Sequence, residues 1–172
     1  MDALAAARIG QTHNQYADSP LRRGRLAGYL RSRADARIVL VGEAAGYRGA
    51  RVSGLPFVSE RQLTGTGPAE ASATIVQRVL RELGLDEEVL LWNLVPTHPH
   101  RPGEPESNRR PTRREVADSR PFLEALAGSG PSNRLVLGIG RLAQRELGGP
   151  YIRHPSHGGS ADFRATLRKC LS

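Results

Sequence analysis

Three short runs of apolar residues constrain this chain more than any other feature. They are Ile38-Val39-Leu40-Val41, Val89-Leu90-Leu91-Trp92 and Leu135-Val136-Leu137-Gly138-Ile139. None alternates polar with apolar, so each reads as a strand covered on both faces. Helical patterns lie between them. Ser19-Pro20 starts a helix with proline at its first position, and Leu26, Leu30 and Ala34 then share a face. Ile75, Val76, Val79, Leu80 and Leu83 form a stripe that Gly84 ends. Thr112 and Glu115 make a capping box, and Pro121 is expected to kink or split the helix that follows. A short helix is expected over residues 141–147, and a brief fourth strand at Tyr151-Ile152-Arg153. A last helix capped by Ser160 would bury Phe163, Thr166, Leu167 and Cys170. Strand and helix in alternation predict an α/β fold, a three-layer α/β/α sandwich around a short four-stranded parallel sheet. The 172 residues suit a single domain, 1–172.

In such sheets ligands bind beyond the carboxyl ends of the strands. The loops after strands one, two and four carry Glu43, Asn93 and His154. Each alone is more often bland: a solvated carboxylate, a turn cap, a structural histidine. Their convergence on one rim is what makes a site. The long loops over 43–68 and 93–111 support the same view, because loops of that length inside a compact domain usually carry function.

Charge narrows the partner. The chain holds 25 basic and 17 acidic residues, a formal net charge of +8. Lys169 is the lone lysine, which a GC-rich genome explains. The net charge and its clustering are not explained that way. Nine arginines face three acids over residues 8–51, and four arginines fall within residues 109–114. A polyanion is the expected partner, most simply nucleic acid. Cys170 is the single cysteine, so a disulfide framework and a cysteine-held metal or cluster are excluded, and a reducing compartment fits. No apolar run approaches the roughly 18 residues of a membrane span, and the N-terminus does not read as a leader. His98, His100, His154 and His157 match no common zinc spacing. Gly138-Ile139-Gly140 resembles a dinucleotide fingerprint but leaves too little chain after it, so it reads as a tight strand–helix turn. Ser156 is not in a nucleophile elbow.

Five motifs in order resemble the uracil-DNA glycosylase superfamily, closest to its family 4-like branch. Gly42-Glu43-Ala44-Ala45-Gly46 resembles the first motif, Gly-Glu-Ala-Pro-Gly. Gly54-Leu55-Pro56-Phe57 follows, then Asn93 at a strand end, then Glu115 to Leu123, and finally His154-Pro155-Ser156. The resemblance spans residues 37–171. It implies a monofunctional enzyme that flips uracil, a 5-substituted uracil or another deaminated base out of DNA and cuts its N-glycosidic bond, starting base-excision repair. Phe57 would stack on the base and Asn93 would read its edge, within a pocket shaped by Gly42, Ala44 and Gly46. His154 would donate to O2 of the leaving base, and Glu43 would act on the water or the sugar. Ser156, His157 and Gly158 would meet a DNA phosphate, helped by Arg109 and Arg110.

The departures carry expectations too. Ala44 stands where some branches place a water-activating aspartate, and Ala45 replaces a proline, which would loosen the loop. Gly46 stands where strict uracil enzymes place a tyrosine that blocks the thymine methyl, so the pocket would admit 5-substituted uracils unless Tyr47 or Arg48 fills the gap. The cluster cysteines of the branch are absent, so no cofactor or metal is expected. The loop around Asn108 lacks the histidine of the covalent branch. A cytoplasmic, nucleoid-associated bacterial monomer is implied. The rival reading is a catalytically silent DNA-binding module of the same fold.

Overall fold

The computed structural model describes residues 1–171. In chain order its elements are α1 (Asp2–Ala6), β1 (Thr12–His13), α2 (Pro20–Ser32), β2 (Ile38–Ala44), α3 (Ala50–Ser53), α4 (Glu60–Thr64) and α5 (Ala71–Glu82). Then come β3 (Val89–Val95), β4 (His98–Pro99), α6 (Arg113–Gly128), β5 (Leu135–Gly138), α7 (Arg141–Leu147) and α8 (Ser160–Leu171). The main sheet is parallel, in the order β3–β2–β5. A two-residue antiparallel pair, β1 with β4, ties the N-terminal segment to the loop after β3.

Alternation along the strands builds the layers. Val39 and Val41 of β2, with Leu90, Trp92 and Leu94 of β3, face α1, α2, α6 and α7. Leu40, Val89, Leu91 and Leu137 face α5 and α8, through Val76, Val79, Leu80, Phe163 and Leu167. Side chains two apart share a face, so each strand feeds two cores. That is why the runs are apolar throughout, and why β3 is buried at all seven positions. Burying one such side chain contributes about 1.5–3 kcal/mol. The outer edge of β3 is not left bare: the Leu91 N–H donates to the Tyr29 hydroxyl of α2 at 2.7 Å.

Four expectations are corrected. The fourth strand is a single parallel bridge, Ile139 with Ile152, so the sheet has three strands and one bridged residue beyond β5. Pro150 and the positive-φ glycines Gly148 and Gly149 leave no room for a longer pairing. Pro121 does not split α6, which continues across it as one helix whose capping box and buried face of Val116, Ser119, Leu123 and Leu126 hold both halves. Ser160 is the first helical residue of α8, and the Gly159 carbonyl accepts the Phe163 N–H at 2.8 Å in the capping place. The long loop 43–68 contains the short helices α3 and α4. As expected, Gly138 closes a tight turn; a Cβ there would meet the Gln144 nitrogen of α7 at 2.5 Å. Among the described residues, no helix is long and apolar enough to cross a membrane.

Glu115 joins three segments. It is 2% exposed. Its carboxylate accepts Arg109 at 2.7 and 2.8 Å, the Thr112 N–H at 2.8 Å and the Gln11 N–H at 3.2 Å. Hydrogen bonding from Arg109 leads the causes that pull its pKa down to about 2. A depressed carboxylate stabilises the fold above its unfolded pKa, here near 4.5, and that contribution is lost as pH falls toward 2. Arg109→Ala would strand this buried charge, at a cost of about 3 kcal/mol. Thermal unfolding at pH 7 should show Tm lower by about 6–12 °C, with the gap from the native protein narrowing as pH drops below 4. An unchanged Tm would contradict the structural role.

Candidate active site

The carboxyl ends of β2 and β3 and the segment after Ile152 open onto one cavity of about 580 Å³. Glu43, Asn93 and His154 all line it. The first two lie within the strands rather than after them, because β2 and β3 run to Ala44 and Val95. Parallel pairing sets Gly42 opposite Asn93. Asn93 follows Val89 and Leu91 in the two-residue period, so its side chain points to the α5/α8 face, where Phe57 packs. Gly42 makes the room: a Cβ there would meet Phe57 Cε2 at 2.7 Å and Asn93 Oδ1 at 2.8 Å.

Asn93 is 4% exposed. Its side-chain amide makes no hydrogen bond to the described residues. The residue is buried but its amide is not shut off: it opens onto the cavity, where its partner must come from outside the protein. Phe57 beside it has φ 53, a left-handed conformation that costs a non-glycine residue about 1–2 kcal/mol. Gln77 Nε2 donates to the Phe57 carbonyl at 3.2 Å and helps hold it there. Strain of this kind collects at functional sites.

His154 is half-buried. The Ser156 N–H donates to its Nδ1 at 3.2 Å, and Ser156 Oγ lies 2.8 Å from the same atom. Nδ1 is therefore an acceptor, and the neutral ring carries its proton on Nε2. Burial, then Arg153 and His157, hold its pKa below the usual value, so the ring is neutral at pH 7. Glu43 is partly exposed and lies 3.7 Å from Arg110 Nε. Burial raises its pKa and Arg110 partly offsets the rise.

The remaining expected residues divide. Ala44, Gly46, Ser156, His157, Arg109 and Arg110 line the cavity. Gly42 lies beneath it. Gly158 is outside its lining, exposed and at φ 74. Arg110 is largely exposed. Arg109 is not free: its five N–H groups reach Glu115 twice and the carbonyls of Gln11, His100 and Arg110. That guanidinium anchors the loop and has no donor left for a phosphate. Ala45 does not loosen its loop. Its N–H donates to the Val95 carbonyl at 3.2 Å, a bond that proline would forfeit, and its carbonyl accepts His98 Nδ1 at 2.7 Å. His98 is thus buried and committed to that bond. Among the described residues no three His, Cys, Asp or Glu side chains gather as a metal site.

Sequence reasoning missed Glu70, Ser72 and Asn108, which also line the cavity. Asn108 Oδ1 accepts the Tyr47 N–H at 3.0 Å. Glu70, at the N-cap of α5, lies in the gap beside Gly46, for which Tyr47 and Arg48 were the candidates. The one signal in the sequence was a Glu directly before a helical pattern, too common to single out.

Residues 30–167 match the family model of the Uracil DNA glycosylase superfamily, and the chain belongs to that superfamily. Its fold is similar to that of a solved structure, wild-type SMUG2 from Pedobacter heparinus. The two share 10% identity and superpose with a TM-score of 0.72, over 99% of this chain and 93% of that one. No curated protein matches the chain.

The crowding at Gly42 gives a direct test of the packing. Gly42→Ala should push the Phe57 ring and the Asn93 amide apart and cost about 1–3 kcal/mol, as overpacking does. Urea unfolding and the Asn93 side-chain amide resonance should both move. Native values for both would mean that the three groups are not in contact.

Proposed function

We propose that the chain is a monofunctional DNA glycosylase that hydrolyses the bond between a flipped uracil, or a closely related deaminated base, and its deoxyribose. The amide of Asn93, free of protein partners and open to the cavity beside the Phe57 ring, carries this reading. An amide offers a donor and an acceptor side by side, the complement of the N3–H and O4 of uracil. Cytosine presents the opposite pattern. A base taken out of the duplex would stack on Phe57, whose ring is already held in place.

The chemistry then follows from where charge develops. As C1′–N1 breaks, its electron pair moves onto the base and toward O2. The neutral His154 would donate there through Nε2–H. A donor fixed in advance at a developing anion needs no reorganisation when the bond breaks. The sugar gains positive charge, which the Glu43 carboxylate offsets. Water adds to C1′ and its proton passes to Glu43 or solvent; the departing base anion takes up a proton from solvent, so the products are free base and an abasic sugar. A carboxylate whose pKa is raised toward neutrality is a better proton acceptor than an ordinary one. Arg110, exposed at the cavity rim, and the backbone around Ser156 would meet the phosphates.

Alkaline cleavage of labelled oligonucleotides tests the reading, with uracil opposite guanine, opposite adenine and in a single strand. Cleavage should appear at uracil and fall about 10²–10³-fold in His154→Ala, the usual cost of one such donor. Asn93→Ala should lose it as well. Duplex binding without any abasic product would favour the silent DNA-binding module instead.

The raised pKa of Glu43 fixes a pH dependence. The ionised form is the active one, so kcat/KM should fall on acidification at a pH above the ordinary glutamate range. Glu43→Gln should be slower and should lose that acid limb. An acid limb that persists unchanged in Glu43→Gln would remove this role.

A further inference from the structure

The wall of the cavity has a second face. Pro99 of β4 and Ala50 of α3 line the cavity. Side chains alternate along an extended segment, so His98 and His100 lie on the side of β4 away from Pro99, where their rings stack with centroids 5.8 Å apart. The antiparallel pair sets His13 of β1 opposite His98, and opposed residues share a face. Arg51 follows Ala50 in α3. Arg22 of α2 is tied to the same place, donating to the Val52 carbonyl at 2.8 Å. Histidines and arginines from four separate segments thus meet behind the wall.

Little in the protein balances them. Among the described residues, the Arg51 guanidinium makes no hydrogen bond or ion pair, and its Nε is buried. Arg109 spends every donor inside the fold; Arg51 spends none. His98 donates through Nδ1 to the Ala45 carbonyl, and its buried Nε2 has no partner. Asp18 is the carboxylate that acts on His13, and none acts on His98. Glu104, in the loop after β4, is paired with Arg101 at 3.2 Å. Burial leads the causes that lower the pKa of His13 and His98, and Arg51 and His100 push both the same way. Cations that discourage one another's charge are relieved by an anion.

A phosphate group suits this chemistry. A planar guanidinium grips it with two hydrogen bonds, and a protonated imidazole donates through both nitrogens. We propose that Arg51, with His13 and His100, forms a phosphate site for a nucleic-acid strand on the outer face of the cavity wall. From the function proposed above it takes only that DNA is the ligand. A strand that sends one nucleotide into the cavity crosses its rim, and a phosphate held behind β4 would anchor the backbone on that side. Binding would also draw protons onto His13 and His98, because the anion offsets the repulsion from Arg51.

Fluorescence anisotropy with an undamaged labelled duplex tests the site without any excision. The native protein, Arg51→Gln, Arg51→Lys, His100→Gln and Arg31→Gln would be compared between about 50 and 200 mM salt. Arg31 is exposed near the other end of α2 and gives the same loss of charge away from the site. Arg51→Gln should weaken binding several-fold and lower the slope of log K against log salt by about 1, as loss of one phosphate contact does. Arg51→Lys should keep the slope, and Arg31→Gln should leave it close to native. His100→Gln should also weaken binding, and it serves if the Arg51 variants do not fold. Imidazole resonances of His13 and His98 in the native protein should move with inorganic phosphate and with the duplex. Arg51→Gln and His100→Gln that bind like Arg31→Gln would overturn the site, leaving only a general attraction of charge. Resonances that move with phosphate but not with the duplex would overturn its assignment to a strand. Weakened binding as expected, with no excision of uracil by the native protein, would leave this site standing and remove the glycosylase reading. No binding of the duplex by the native protein would remove both.

Discussion

The pairing of β2 with β3 is the constraint on which the site depends. Parallel registry from Ile38–Val89 to Ala44–Val95 carries two strands past the end of their apolar runs. There Gly42 pairs with Asn93 and Ala44 with Val95, Glu43 lying between the two pairs; Val95 stays in the core, while Glu43, Ala44 and Asn93 line the cavity. Because the same ladder that buries Val39 and Leu91 also sets these residues, the site inherits the stiffness of the sheet. Loops alone would place such groups far less tightly. Ala45 extends the effect by one residue, held on both sides by Val95 and His98.

Much of this was legible in the sequence because it is written in local patterns. Apolar runs gave the strands, Ser19 and Thr112 marked helix starts, and the residues at strand ends pointed to one rim. The strand ends themselves were misjudged, since glycine, glutamate and asparagine do not look like strand in isolation; only pairing with a neighbour makes them so. The fourth strand was overread for the converse reason, an apolar pair at Tyr151-Ile152 with no room to extend. Glu70 was beyond reach. Nothing within its own stretch of chain indicates that it turns away from its helix toward Gly46, far earlier in the chain.

Arginine content shows a similar limit. Net charge and clustering suggest a polyanion, yet many of these side chains work inside the protein. Arg134 donates to the carbonyls of Ala34, Ala36 and Leu126. Arg22 reaches Val52, and Arg25 grips Glu60 with two hydrogen bonds. A planar fork with five donors can tie several carbonyls at once, which lysine cannot do. In the run 109–114, adjacent residues differ: Arg109 is spent on the fold, while Arg110 stands at the rim. Counting basic residues overstates the charge offered to a partner; counting unspent donors does not.

The left-handed Phe57 has a consequence for how this protein can change. Its strain is carried in the folded state at all times, whether or not anything lies against the ring. A substitution that relaxes the backbone there, such as glycine, gains back part of that energy and loses the stacking face. The exchange is unfavourable, because the ring is also packed in the core with Leu40, Val76 and Leu91: losing a buried phenyl costs about 3–5 kcal/mol, more than the about 1–2 kcal/mol of backbone relief. The side chain that shapes the pocket is thus also one that holds the fold, and the pocket cannot be given up at this position without giving up stability.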